Sequence, residues 1–142
     1  ISFEKVLRGN PHRIFSLEFR CKPFFNLFSG EVPITITETA RLINEGNVES
    51  EPLIKVMGTG EGTIMCGNST MLINDLDDID YLMIDTEAKI VYTGEPGNAA
   101  DPVRLMGTKV TGDWLKIPDG TSFFSIQGDI SSVTITPRWR YV

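Results

Sequence analysis

The densest group of acidic side chains is Asp75, Asp77, Asp78 and Asp80, interrupted by Leu76 and Ile79. Clustered carboxylates suggest a hard cation such as calcium. A calcium loop of the EF-hand type needs a central glycine and a distal bidentate glutamate, and the spacing here supplies neither. The segment reads as an inter-strand loop with solvated charges, Leu76 and Ile79 turning inward. Gly58, Gly60 and Gly62, alternating with Thr59 and Glu61, could be taken for a phosphate loop. The lysine and Ser/Thr of a Walker loop are missing, and a strand pattern follows instead of a helix. A hairpin turn or bulge is the reading. His12 is the single histidine, in the polar turn Arg8, Gly9, Asn10, Pro11, His12, Arg13. A His-dependent triad or a zinc site would have to be built around it. Paired carboxylates could hydrolyse glycosides without histidine, but nearly all candidates sit in turns. These residues predict no catalytic group, no metal ligand set and no cofactor, and so no enzyme.

Two groups of residues suit recognition. Sugar-binding sandwiches stack a saccharide face on an exposed aromatic ring and fix it with Asn, Asp, Glu and Arg. Trp114, preceded by Asp113, and Tyr92, beside the loop holding Asn98 and Asp101, could provide this. The competing reading makes Trp114 a core residue. The serial His, Asn, Arg, Trp and Glu pattern of galectin sugar sites is not present. The second group is Trp139 between Arg138 and Arg140. Trp139 is either a lid on the end of the fold or a contact to a preceding domain. Arginine stacked on it would add roughly 0.5–1 kcal/mol at an exposed site.

The chain's 142 residues are enough for one ordinary domain, and its net charge is −6. An acidic chain without a basic stripe argues against nucleic-acid binding, which relies on cations neutralising phosphates. No apolar run approaches the ~18–20 residues needed to span a bilayer. The chain begins at Ile1 with no signal-peptide pattern, and it is read as a fragment or mature product. Cys21 and Cys66 make neither a disulfide framework nor a zinc knuckle. Both are expected as buried free thiols in a reducing compartment.

The elements that must position these residues are strands. Phe15, Leu17, Phe19 and Cys21 alternate with Ser16, Glu18 and Arg20, as on a half-buried strand ended by Pro23. Residues 34–37 and 52–58 give two more strands, the second broken by its glycines. Three hairpins are predicted: residues 63–66 with 70–73 around Gly67, Asn68 and Ser69; residues 81–85 with 90–92; and residues 123–126 with 133–136 around Gly128 and Asp129. Residues 37–44 are the best, though short, helical candidate. The Gly/Pro-rich stretch between Tyr92 and Trp114 reads as a long loop with one short strand near residues 103–106. Many brief strands between frequent turns predict an all-β antiparallel sandwich. Residues 1–31 read as a strand and connector left from a preceding domain, and residues 32–142 as the compact domain. The aromatic run Phe24, Phe25, Leu27 and Phe28 is expected either to pack on the sandwich or to mediate an oligomer.

Four separated segments carry a family resemblance. They are Phe19-Arg20-Cys21-Lys22-Pro23-Phe24; Asn44-Glu45-Gly46-Asn47 through Ser50-Glu51-Pro52; Ile84-Asp85-Thr86-Glu87 followed by Val91-Tyr92; and Val133-Thr134-Ile135-Thr136-Pro137-Arg138-Trp139-Arg140. Together they resemble the C-terminal half of the distal tail (baseplate hub) proteins of long, non-contractile-tailed phages and prophages. The resemblance covers nearly the whole chain. It implies a galectin-like or jelly-roll-like sandwich hung outside a hexameric ring that an N-terminal domain builds at the tip of the tail tube. It implies a virion component assembled in the bacterial cytoplasm, docking tail-tube, tail-tip or receptor-binding proteins. Host saccharide is the alternative ligand. Most of the ring-building domain is missing from this chain, so its own oligomeric state stays open.

Overall fold

The computed structural model describes residues 16–19, 24–93 and 109–142, with the backbone alone of residues 103–104. Its strands are β1 Phe25–Asn26, β2 Ile34–Ile36, β3 Ala40–Asn44, β4 Leu53–Cys66, β5 Ser69–Ile73, β6 Leu82–Asp85, β7 Ile90–Thr93, β8 Val103–Arg104, β9 Val110–Gly112, β10 Gly120–Thr136 and β11 Arg140–Tyr141. One 3-10 turn, Phe28–Glu31, follows β1. Every strand pairing is antiparallel. The chain is all-β and sandwich-like.

Two long strands organise the fold. β4 and β10 pair along their lengths, and each serves both layers. In one layer the order is β3, the first part of β10, the second part of β4, β5 and β9. In the other it is β2, the last part of β10, the first part of β4, β6, β7 and β8. A single apolar core joins the two. Ile64, Cys66, Met71 and Phe124 come from the first layer, and Ile54, Val56, Ile84, Val133 and Ile135 from the second. Complete burial of an aliphatic side chain of this kind stabilises by roughly 1.5–3 kcal/mol.

The ribbon bends where side chains are smallest. Gly58, Gly60 and Gly62 occupy successive core-facing positions of β4. A Cβ on Gly58 would meet the Asp129 carbonyl, and one on Gly62 the Ile130 side chain. The register of β10 slips on either side of Ile130, so its core-facing residues change from Ser122 and Phe124 to Val133 and Ile135. A bulge of this kind bends and twists a strand without ending it. Leu76 crosses the bend, donating its N–H to the Gly60 carbonyl and burying its side chain.

Three expectations are corrected. Gly58 to Gly62 do not break β4, because the bulge of β10 fills the space their missing side chains leave. Residues 123–126 and 133–136 are not a hairpin but parts of one strand, since both find β4 as partner. Residues 40–44 are a strand and not a helix: Leu42 and Asn44 are buried while Arg41 and Ile43 are exposed. The first two hairpins form as expected, Gly67 taking the left-handed conformation (φ 57°) that its turn requires. A short strand also forms at Val103–Arg104. Of the first expected strand, residues 16–19 are described, and they are neither paired nor buried. Its other residues, Cys21 among them, lie outside the described residues, as does His12.

Candidate docking surface

Pro137 ends β10 because it has no N–H to donate. The chain then turns at Arg138, a non-glycine residue with φ 54°. This turn presents Arg138 to one side and buries Trp139, which is 3% exposed and belongs to the core. Trp139 thus closes the end of the sandwich, as a lid would. Its backbone is held from residues 27–30. The Leu27 N–H donates to the Trp139 carbonyl at 2.9 Å, and the Arg138 N–H to the Gly30 carbonyl at 2.7 Å. A side chain at residue 30 would overlap the Trp139 backbone nitrogen, so this close approach requires glycine.

Beyond Trp139, β11 runs between two neighbours. On one side β1 pairs with it, Phe25 opposite Tyr141 and Asn26 opposite Arg140. On the other side Val48 bridges Arg140, and the Asn47 N–H donates to the Arg140 carbonyl at 3.1 Å. Gly46 lies so close to that carbonyl that a Cβ would collide with it. Asn44 is the buried anchor of this corner. Its amide donates to the carbonyls of Val48, Ile117 and Pro118, and its Oδ1 accepts from the Gly46 N–H.

The two arginines are engaged with acids. Arg138 binds Asp85 through both guanidinium nitrogens, at 2.8 and 3.0 Å, and reaches Glu87 at 3.5 Å. Arg140 binds Glu51 at 2.9 Å and lies 3.4 Å from Glu87. Burial alone would raise the Asp85 carboxyl. Hydrogen bonds from Arg138 and from the Ala88 and Glu87 N–H groups outweigh it and hold Asp85 below the usual carboxylate range. The hydrogen bonds that Arg138 donates to Asp85 likewise raise the guanidinium. The expected Arg–Trp stack is replaced: the guanidinium of Arg140 lies over Phe24, 5.4 Å from the ring centre, since Trp139 faces the core.

Around this anchored end the apolar surface is open. Phe25 and Phe28 are 72% and 89% exposed, and Phe24, Tyr141 and Val142 are exposed beside them. Leu27 alone of the aromatic run's apolar residues packs on the core. An exposed apolar group rimmed by Arg, Glu and Asn has the composition of a protein contact surface.

The remaining predicted residues do not converge here. Tyr92 is 7% exposed on the second layer, where burial foremost raises its phenol. Trp114 is half-buried and packs against the core from the segment joining β9 to β10. Asn98 and Asp101 lie outside the described residues. Leu76 and Ile79 of the acidic loop point inward as expected, and Lys109 fills the loop's mouth. Its ammonium donates to the Asp75 carbonyl at 2.6 Å and pairs with the carboxylates of Asp75 and Asp78. The hydrogen bond with Lys109 lowers Asp78 and raises the lysine. Among the described residues no group of three His, Cys, Asp or Glu side chains could hold a metal ion. An open groove of about 260 Å³ is lined by Glu61, Thr63, Leu72 and Asn74. The chain matches no family model, no curated protein and no solved structure.

Proposed function

We propose that this chain is the C-terminal sandwich of a distal tail protein of a non-contractile-tailed phage or prophage, a structural and non-enzymatic module of the tail tip. In this reading it docks tail-tube, tail-tip or receptor-binding proteins through the rim of Phe24, Phe25, Phe28 and Tyr141.

One observation carries the reading. Residues from each of the segments on which the resemblance rests, far apart in sequence, meet at one end of the fold. Phe24 lies under Arg140, the Asn44 to Asn47 turn packs on the Arg140 backbone, Glu51 pairs with Arg140, and Asp85 with Arg138. The Thr86 hydroxyl closes the set by donating to the Pro52 carbonyl at 2.8 Å. A scattered pattern that assembles into one anchored corner beside an exposed apolar rim suits a load-transmitting joint. A charged partner pair occupied by its own salt bridges suits scaffolding better than substrate turnover.

Immunogold labelling of phage or prophage particles tests the assignment, with signal expected at the tail tip. Binding to tail-tip proteins encoded in the same genome should weaken in a Phe25→Ser, Phe28→Ser double variant that still folds. Absence of the chain from purified tails would overturn the assignment. Saccharide binding lost on Trp114→Ala, with no tail protein bound, would move the chain to the lectin class.

A further inference from the structure

We infer that the free edge of β3 pairs with the β3 of a second copy of this chain, antiparallel across a two-fold axis, with Ile43 opposite Ile43 and Arg41 opposite Glu45. The partner is thus the protein itself, and the strand edge adjoins the aromatic rim at Glu45, which Ser29 contacts beside Phe28.

β3 pairs with β10 on one side and has no strand on the other among the described residues. No bulge or proline interrupts residues 40–44. An unprotected edge of this kind is a template for another strand. Its outward side chains are Arg41, Ile43 and Glu45, all exposed, with Ile43 55% exposed. Phe123, opposite Arg41 on β10, is 64% exposed and extends the apolar strip. Arg41 has no ion-pair partner among the described residues. Glu45 accepts a hydrogen bond from Ser29, which fixes its carboxylate near the strand end.

Register selects the pairing. With Ile43 at the two-fold axis, each Arg41 stands opposite Glu45 of the second copy, so two ion pairs flank a central isoleucine pair. Opposite charges placed directly across strands stabilise a sheet. Centring on Leu42 would leave Arg41 against isoleucine, and centring on Asn44 would put Ile43 against a carboxylate. A centre at Arg41 would oppose two arginines. The chosen register also keeps Leu42 and Asn44 facing their own cores. A two-fold contact of this kind closes on itself and does not propagate into a fibre.

One strand pair covers less than a standard interface, so the dimer should be weak and concentration-dependent. Sedimentation equilibrium from low to high concentration tests this. Arg41→Glu alone, and Glu45→Arg alone, should each weaken dimerisation roughly tenfold or more by placing like charges opposite. The double charge swap should restore it. Circular dichroism and unchanged melting temperatures establish that each exposed-site variant folds. A wild-type chain that stays monomeric up to about 1 mM would overturn the inference. So would a dimer indifferent to both single swaps, or one broken by the double swap as badly as by either alone.

Discussion

Arg138 and Asp85 face each other through two parallel hydrogen bonds, Nη1 to Oδ1 at 2.8 Å and Nη2 to Oδ2 at 3.0 Å, with both side chains less than a fifth exposed. The same Asp85 Oδ1 accepts the Glu87 and Ala88 N–H groups at 3.1 Å. One carboxylate therefore ties the turn between β6 and β7 to the exit of β10. Removing Arg138 leaves Asp85 partly buried with backbone N–H donors but without its guanidinium, and removing Asp85 leaves Arg138 only the longer contact to Glu87. Arg138→Ala or Asp85→Ala should cost about 2–3 kcal/mol, the range for charged hydrogen bonds lost from a shielded site. Arg138→Lys should recover only part of this, because an ammonium cannot make the two-pronged contact. Urea midpoints at constant slope measure both.

The same pair sets an acid limit. Asp85 is held below its ordinary value in the folded chain. The unfolded chain, with an aspartate pKa of about 3.9, then binds its proton first as pH falls. The stability Asp85 contributes is complete above the unfolded value and is lost as pH drops through the folded one. Wild type should lose stability steeply below about pH 4. Arg138→Ala should show a shallower acid limb. Identical slopes for the two proteins below that pH would contradict the assignment.

The bend predicts a contrast between two glycines. Gly128 and Gly120 both have positive φ, 85° and 77°. A Cβ on Gly120 meets nothing within 4 Å, whereas one on Gly128 lies 2.5 Å from the Glu61 carbonyl oxygen. Gly120→Ala should cost only the backbone strain, about 1–2 kcal/mol. Gly128→Ala should add an overpacking cost of about 1–3 kcal/mol. Thermal unfolding of the two variants side by side would test the order, and equal losses would mean that the bend tolerates a side chain.

How far the sequence reveals this architecture depends on locality. Residues 52–58, 63–66 and 81–85 read as strands from short apolar and β-branched runs between turn signals, and the alternating burial within them is the trace of one buried face. The Gly67 and Asn68 turn was legible because turn chemistry is local. The continuity of β10 was not. Gly128 followed by Asp129 looks the same at a reversal as at a bulge, and only the glycines of β4, more than sixty residues earlier in the chain, decide between them. Residues 40–44 misled for a related reason. A five-residue stretch holds too few turns to separate the two periods, and its buried face depends on β10. At the candidate surface, Arg138 and Trp139 were identifiable by type. Their roles were not, since the acids that occupy the arginines, Asp85 and Glu51, are distant in sequence. No local signal marks Lys109 as the cation that closes the acidic loop.

Lys109 argues against a latent calcium site. Its ammonium already lies between Asp75 and Asp78, 3.4 Å from the Asp75 carboxylate. A divalent ion would have to displace it while finding ligands in a loop that holds no dedicated set. Calcium at about 1 mM, where even weak extracellular modules bind, should leave the melting temperature unchanged. A rise that disappears in Asp78→Asn would show that the lysine yields its place.

Cys66 should report the integrity of the core. It is buried beside Ser122, its Sγ 3.6 Å from the hydroxyl oxygen. Burial raises the thiol, and the hydrogen bond with Ser122 offsets only part of that rise. The unfolded thiol ionises near pH 8.5, while the folded one stays protonated to higher pH. Stability is therefore full below the unfolded value and declines as pH rises toward the folded one. Reactivity follows the same logic, since the thiolate is the nucleophile. In a Cys21→Ser background, a thiol reagent at pH 8 should modify Cys66 only as fast as the core opens. The labelling rate should rise with urea in step with global unfolding. Fast modification under native conditions would mean that the two layers part locally at β4 and β10 without unfolding the whole.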